Sequence, residues 1–200
     1  MRTNLLQVFA KAPINGEVKT RLAADIGDEK ACDVYKQLLS NTLQNGVSED
    51  WHTEIWCTPD DGHPFFKELS EQYKVSRRIQ YDGNLGQRML HALQHGQLNA
   101  QKVVLVGSDC PVLSLETIQA AFNALDTYDV VFSPAEDGGY VLIGCNTTCE
   151  GMFEGVEWSV TKTLQKNISA IEYCGLSFQL LPVLWDIDTL VDLKRWQDVN

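Results

Sequence analysis

The run Lys102-Val103-Val104-Leu105-Val106-Gly107 is apolar at every interior position. A strand with one wet face alternates apolar and polar side chains. A strand without alternation must be covered on both faces. That condition points to a parallel sheet with helices packed on both sides. The rest of the sequence supplies them. Strands are predicted at 5–10, 53–57, 75–80, 130–132, 140–144 and 178–184. Between them run helical patterns at 65–73, 85–98, 115–125, 161–171 and 190–197. A further helix of about 18 residues starts at Asp28, taken as its cap, with Ala31, Val34, Tyr35, Leu38, Leu39 and Leu43 at helical spacing. Residues 11–25 read as a loop. Alternating strands and helices predict a single three-layer α/β/α domain over residues 1–200, with a mainly parallel central sheet.

Composition agrees with a globular chain. The sequence has 200 residues, 44% hydrophobic and 22% charged, so it is neither disordered nor collagen-like and can bury a core without staples. No apolar run approaches the ~18 residues of a membrane span. The apolar run at 5–10 is too short for a secretory segment, so a cytoplasmic location is expected. A net charge of −11 argues against nucleic acid and anionic membrane as partners. Yet residues 1–21 carry Arg2, Lys11, Lys19 and Arg21 against Glu17 alone, a net of +3, leaving −14 for the remaining 179. Such a local basic cluster suits a small anion. The six cysteines, at 32, 57, 110, 145, 149 and 174, form no CxxC pair and are expected to be reduced structural thiols.

Open α/β sheets bind ligands at the carboxyl ends of their strands. Beyond the first strand, residues 11–21 combine Lys11, Lys19 and Arg21 with Gly16, a composition suited to phosphate oxygens, although it is neither a Walker A loop nor GxGxxG. A solvated surface loop is the plain alternative. Beyond the 102–107 strand comes Asp109, whose natural partner there is Mg²⁺ or Mn²⁺ shared with a diphosphate. The alternative is helix capping, which Ser114 could also provide. Asp137-Gly138-Gly139 follows the next strand, either as a site carboxylate or as a tight turn. Asp186 and Asp188 follow the last strand, as metal ligands or as caps. His91 and His95 lie four apart without a third ligand and read as exposed helix histidines. Val156, Trp158 and Val160 read as core, with Trp158-Ser159 in a loop.

These residues together resemble a known group. The ordered motifs are Phe-Ala-Lys-Ala-Pro-x-x-Gly-x-Val-Lys-Thr-Arg-Leu (9–22), Gly-x-Asp-Cys-Pro (107–111), Asp-Gly-Gly-Tyr-x-Leu-Ile-Gly (137–144), Trp-Ser-x-Thr (158–161) and Asp-Ile-Asp-Thr-x-x-Asp-Leu (186–193). They are similar to the bacterial family of small glycosyltransferase-A-like proteins known as nucleotide-diphospho-sugar transferase-like, some of them arsenosugar-biosynthesis glycosyltransferases. The resemblance runs from residue 4 to about 195. It implies a nucleotide-diphospho-sugar transferase fold. It also implies nucleotide and phosphate binding at Ala10, Lys11, Pro13, Gly16, Lys19 and Arg21, and a divalent metal at Asp109 with Asp188 or Asp186. The acceptor would lie at Asp137, Gly138, Gly139, Trp158 and Ser159. A more distant similarity is to phospholactate guanylyltransferases and molybdenum-cofactor nucleotidyltransferases. The chain lacks their Gly-Gly-x-Ser start and carries a single Asp where Asp-x-Asp is usual, so which bond is broken stays open.

Three functions follow as expectations. In glycosyl transfer from a nucleotide sugar to a small acceptor, Mg²⁺ and the early cations would stabilise the leaving diphosphate, with Asp137 as base and Glu136 behind it. In nucleotidyl transfer from a nucleoside triphosphate, Lys19 and Arg21 would hold pyrophosphate, and a phosphate acceptor would need no base. The third is nucleotide binding without turnover.

Overall fold

The computed structural model describes residues 3–158 and 160–199. Among these, seven strands form one sheet in the order β3-β2-β1-β4-β6-β5-β7. They are β1 (Thr3–Lys11), β2 (Trp51–Thr58), β3 (Ser76–Ile79), β4 (Ala100–Val106), β5 (Val130–Pro134), β6 (Tyr140–Cys145) and β7 (Phe178–Leu180). All pairings are parallel except those of β6, which lies antiparallel between β4 and β5. The predicted three-layer, mainly parallel fold is therefore the one observed. β6 returns directly from β5 through residues 135–139, so it enters the sheet at the edge where β1, β4 and β5 end. Loops at 12–19, 107–111, 135–139 and 181–188 thus share one rim.

Seven helices flank the sheet: α1 (Thr20–Ile26), α2 (Asp28–Gly46), α3 (Pro64–Tyr73), α4 (Leu85–Gln97), α5 (Leu115–Ala124), α6 (Thr163–Tyr173) and α7 (Leu190–Asp198), again among the described residues. The pleat of β1 divides the core. Leu6, Val8 and Ala10 face α2, α3 and α5, among Leu39, Leu43, Phe66 and Phe122. Leu5 faces α4 and α6 instead, among Met89, Leu93 and Ile171. Each fully buried Val, Leu, Ile, Phe or Met among them contributes about 1.5–3 kcal/mol. A third cluster joins α1, α2 and α7 through Leu22, Leu38, Trp185, Ile187 and Trp196. Gln7 is buried on the α4 side, where its Nε2 donates to the Ala92 carbonyl at 2.7 Å.

Several local expectations change. The loop 11–25 gives way to α1, which buries Leu22 fully and Ala23 and Ile26 in part, too short a helix to give a clear periodic signal. Asp28 does not cap α2; Gly27 occupies that position, and Asp28 lies in the first turn, where a negative charge meets the helix dipole favourably. The last strand stops at Leu180, and the irregular segment 181–187 stays joined to the end of β5, where Leu184 N–H donates to the Pro134 carbonyl at 2.8 Å. Cys149 and Cys174 are disulfide-bonded, with Cα atoms 6.3 Å apart, against the expectation of six thiols. Spacing could not reveal this, because the pair joins the loop after β6 to the end of α6, 25 residues on. The other four cysteines are free and buried. Burial pushes the Cys57, Cys110 and Cys145 thiols up to about 12, as inert core groups require.

Candidate active site

Three rim loops are knitted by main-chain bonds. Ile187 N–H donates to the Asp109 carbonyl at 3.1 Å, and Glu136 N–H donates to the Leu184 carbonyl at 3.0 Å. Ile187 is fully buried, so the bond seats its neighbours Asp186 and Asp188 beside the end of β4. The capping alternatives for two carboxylates fall away. Ser114 caps α5, its side chain accepting from Thr117 N–H. Thr189 caps α7 in a reciprocal box with Asp192.

Between these carboxylates stands Lys19. Its side chain is only 3% exposed, and its Nζ lies 2.8 Å from Asp109 Oδ2 and 3.5 Å from Asp188 Oδ1. The angles of these ion pairs fall outside hydrogen-bond geometry, and the buried Asp109 Oδ1 has no hydrogen-bond donor among the described residues. The backbone of Lys19 is left-handed, φ 49° and ψ 42°, at the N-cap of α1. A non-glycine residue there is strained by about 1–3 kcal/mol, which the surrounding structure must sustain. Asp186 completes the group. Burial first, then the charge of Asp109, pushes its carboxyl up to about 7, with Lys19 opposing and Asp137 and Asp188 adding to the rise.

The other members of the early loop stand apart from this cluster, except Arg21. Arg21 is 72% exposed and reaches Asp188 Oδ2 at 3.3 Å. Lys11 turns to Glu17, donating to its carbonyl at 2.8 Å and pairing with its carboxylate at 3.5 Å. Ala10 and Pro13 are buried, and Gly16 is exposed with φ 79°. The loop is held from beneath by Tyr35, which the sequence showed only as a core position of α2. Its hydroxyl accepts from Lys11 N–H at 2.8 Å, donates to the Lys11 carbonyl at 2.9 Å and meets Ser108 Oγ at 3.3 Å. One buried hydroxyl thus ties the end of β1 to the end of β4.

Beside the cluster opens a pocket of about 220 Å³. Its walls are Phe9 of β1, Leu85 and Met89 of α4, Tyr140 of β6, and Trp158 and Val160 of the loop before α6. Asp137 and Asp186 are its charged lining residues, so Asp186 belongs to both the pocket and the carboxylate cluster. Asp137, Gly139 and Trp158 line it as a set; Ser159 lies outside the described residues. Asp137 also serves its turn, since Oδ1 accepts from Gly139 N–H at 2.9 Å. Gly138 has φ 90°, and a Cβ there would collide with the Thr161 carbonyl. This close approach, with Leu164 N–H donating to the Gly138 carbonyl at 3.0 Å, clamps the Trp158 loop onto the Asp137 turn. Glu136 points elsewhere. Arg195 holds it by two bonds of 2.8 and 3.0 Å, keeps its carboxyl below the usual range and lies 4.1 Å from the Trp185 ring centroid.

The α4 wall was missed by the sequence reading. Its signal was Gly83-Asn84-Leu85-Gly86. Asn84 forms a capping box with Gln87, both bonds 3.0 Å, which fixes where α4 starts. A Cβ on Gly86 would come within 3.0 Å of Phe153 and Trp158. The pair His91 and His95 packs around Trp56, with ring centroids 6.0 and 5.4 Å away, and His91 stacks on Tyr81.

No three His, Cys, Asp or Glu side chains among the described residues converge as a ready metal cage. Mg²⁺ needs no such cage, because it takes one or two carboxylates and completes its shell with substrate phosphates and water. The unpaired Asp109 Oδ1 and the excess carboxylate charge around Asp186 fit that mode of binding.

Residues 42–160 match the model of a family described as "Uncharacterized protein conserved in bacteria (DUF2064)". The chain belongs to this family. A solved structure similar to this family member is a candidate nucleotide-diphospho-sugar transferase from Desulfovibrio desulfuricans G20, 32% identical. The match covers 96% of this chain and 85% of that one, with a TM-score of 0.87. The fold also matches 4-diphosphocytidyl-2C-methyl-D-erythritol synthase from Anaerococcus prevotii DSM 20548, at 14% identity, covering 100% and 99% with a TM-score of 0.66. It matches glucosyl-3-phosphoglycerate synthase from Mycobacterium tuberculosis, solved with Mn²⁺ and UDP, at 9% identity, covering 97% and 75% with a TM-score of 0.55. No curated protein sequence matches. The fold is that of nucleotide-diphospho-sugar transferases, as the motifs implied.

Proposed function

We propose that the protein transfers a glycosyl group from a nucleotide-diphospho-sugar to a small acceptor, with Mg²⁺ or Mn²⁺ as cofactor. The observation that carries this reading is the juxtaposition of two unlike compartments through Asp186. One is a charged cluster, Lys19, Asp109 and Asp188, suited to a diphosphate and its cation. The other is an apolar pocket with Asp137 and Asp186 as its charged lining residues, suited to the transferred group and acceptor. Asp109, with Asp188 or Asp186, would hold the cation. When bound, it would supply positive charge to the departing diphosphate. Lys19 and Arg21 would contact phosphate oxygens by charge-assisted bonds. Asp137 would take the acceptor's proton through Oδ2, while Oδ1 stays in its turn. Phe9, Met89 and Trp158 would exclude water from the reacting centre. The likeness to the Desulfovibrio protein supports the donor class.

Nucleotidyl transfer is the second reading. The turn bond of Asp137 favours it, because a carboxylate already used to shape its loop is less free to act as base, and a phosphate acceptor needs none. Several similar folds belong to nucleotidyltransferases. A thermal-shift panel of nucleotide sugars and nucleoside triphosphates, each with and without Mg²⁺, separates the two. Ligand at 100 times its dissociation constant stabilises by about 2.7 kcal/mol. A nucleotide sugar as strongest binder supports glycosyl transfer, and a triphosphate supports nucleotidyl transfer. A panel without any shift would refute both and leave a different role for the site.

A further inference from the structure

We infer that Lys19 is a built-in cation that keeps Asp109 and Asp188 from a divalent metal until a nucleoside diphosphate draws its ammonium away. The inference rests on the nucleotide reading above and concerns the order in which that site fills.

Lys19 sits where a cation shared by the two carboxylates would sit. Its ammonium is 2.8 Å from one and 3.5 Å from the other, and its side chain is almost wholly buried, whereas the carboxylates remain 42% and 47% exposed. The usual arrangement for an incidental surface pair is the reverse, a long lysine reaching outward through water. Burying an ammonium is costly unless it is paired and hydrogen-bonded. Here it is closely paired, but among the described residues no acceptor is aligned for a hydrogen bond, so that requirement is only partly met. Its backbone is strained as well. The contact is therefore held in place without being a deep minimum.

A phosphate offers the ammonium what the carboxylates lack, namely short, aligned, charge-assisted hydrogen bonds. Moving Lys19 onto a diphosphate frees Asp109 Oδ2 and Asp188 Oδ1 beside the unpaired Asp109 Oδ1. Those carboxylates would then be free to hold a divalent cation, which would supply positive charge beside the diphosphate. Cation and nucleotide would each strengthen the other's binding by an equal factor, as linkage demands. Arg21 pairs with Asp188 from the solvent side, with an exposed head group, and does not stand between the two carboxylates.

Mn²⁺ binding followed by electron paramagnetic resonance tests this without turnover. The proteins are wild type, Lys19→Met, Lys19→Gln and Lys36→Gln, each confirmed as folded by circular dichroism. Nucleoside diphosphate binding is measured separately by calorimetry. Wild type is expected to bind Mn²⁺ weakly alone and more tightly when UDP, GDP, CDP or ADP is added. Both Lys19 variants should bind Mn²⁺ alone more than about tenfold tighter than wild type, because a unit charge a few ångströms from the cation has gone. They should also lose most of the nucleotide enhancement. Lys36→Gln, which removes the same charge from α2, where Lys36 pairs with Asp33 at 3.2 Å, should change little. Equal gains in the Lys19 and Lys36 variants would show only general charge and overturn the inference. Wild type binding Mn²⁺ alone as tightly as Lys19→Met would overturn it too. If a nucleotide binds yet leaves wild-type Mn²⁺ affinity unchanged, the exchange is refuted and the nucleotide reading stands. If no nucleotide binds while Lys19→Met still gains Mn²⁺ affinity, the nucleotide reading falls and the blockade by Lys19 stands.

Discussion

Replacing Asp186 by asparagine should stabilise the fold at neutral and alkaline pH. The carboxyl of Asp186 ordinarily titrates at 3.8 and is pushed up to about 7 by burial and by Asp109. The folded protein therefore holds this proton more tightly than the unfolded chain does. Between about pH 4 and pH 7 the folded state binds more protons, so rising pH erodes stability, and above 7 the full penalty of the buried charge is present. Three units at about 1.36 kcal/mol each set a ceiling near 4 kcal/mol. Relaxation of Lys19, Asp137, Asp188 and nearby water reduces the expected gain to about 1–3 kcal/mol. Asparagine keeps the shape and removes the charge. The assay is urea unfolding of wild type and Asp186→Asn at pH 4 and pH 8, with chelator present to exclude divalent cations. The variant should be more stable at pH 8 and nearly equal to wild type at pH 4. An equal difference at both pH values, or a variant less stable at pH 8 than wild type, would refute the argument that an ionised Asp186 is held against its preference.

Gly138→Ala forces a Cβ into the Thr161 carbonyl at a φ of 90°, so it should cost about 2–4 kcal/mol in urea unfolding and disrupt the Trp158 wall; a loss under 0.5 kcal/mol would contradict the clamp. Asp137→Asn retains an oxygen for the Gly139 N–H, so stability should change by less than about 0.5 kcal/mol. Its turnover should fall by about 10²–10⁴ if Oδ2 is the base, and unchanged steady-state kinetics would confine Asp137 to the turn. Thiol titration of protein unfolded without reductant should count the four free cysteines, 32, 57, 110 and 145; a count of six would exclude the 149–174 bond.

The central strand was legible because burial on two faces leaves a continuous apolar run at Val103–Val106, and the longer helices by their apolar period, whereas α1 was too short to show one. The carboxylates Asp109, Asp137, Asp186 and Asp188 were legible for a related reason: charge directly after an apolar strand stands out. What those charges touch was not legible. Lys19 was read with the phosphate loop, and nothing in its neighbours announces that a left-handed backbone turns its side chain inward onto Asp109. Tyr35 and Met89 follow helical periodicity perfectly and so read as core, although one braces the early loop and the other lines the pocket. Periodicity reports that a residue is covered, and tertiary structure alone decides by what.

The bond from Ile187 to the Asp109 carbonyl has a bearing on biosynthesis. Lys19 and Asp109 are synthesised before Asp186, Asp188 and the Trp185–Trp196 cluster that seats them on α1 and α2. A growing or truncated chain can pair β1 with β2 and β4, yet its rim lacks two of the four carboxylates and the main-chain bond that fixes Asp109. The carboxylate cluster is therefore complete only once the 185–196 segment has docked on α1 and α2.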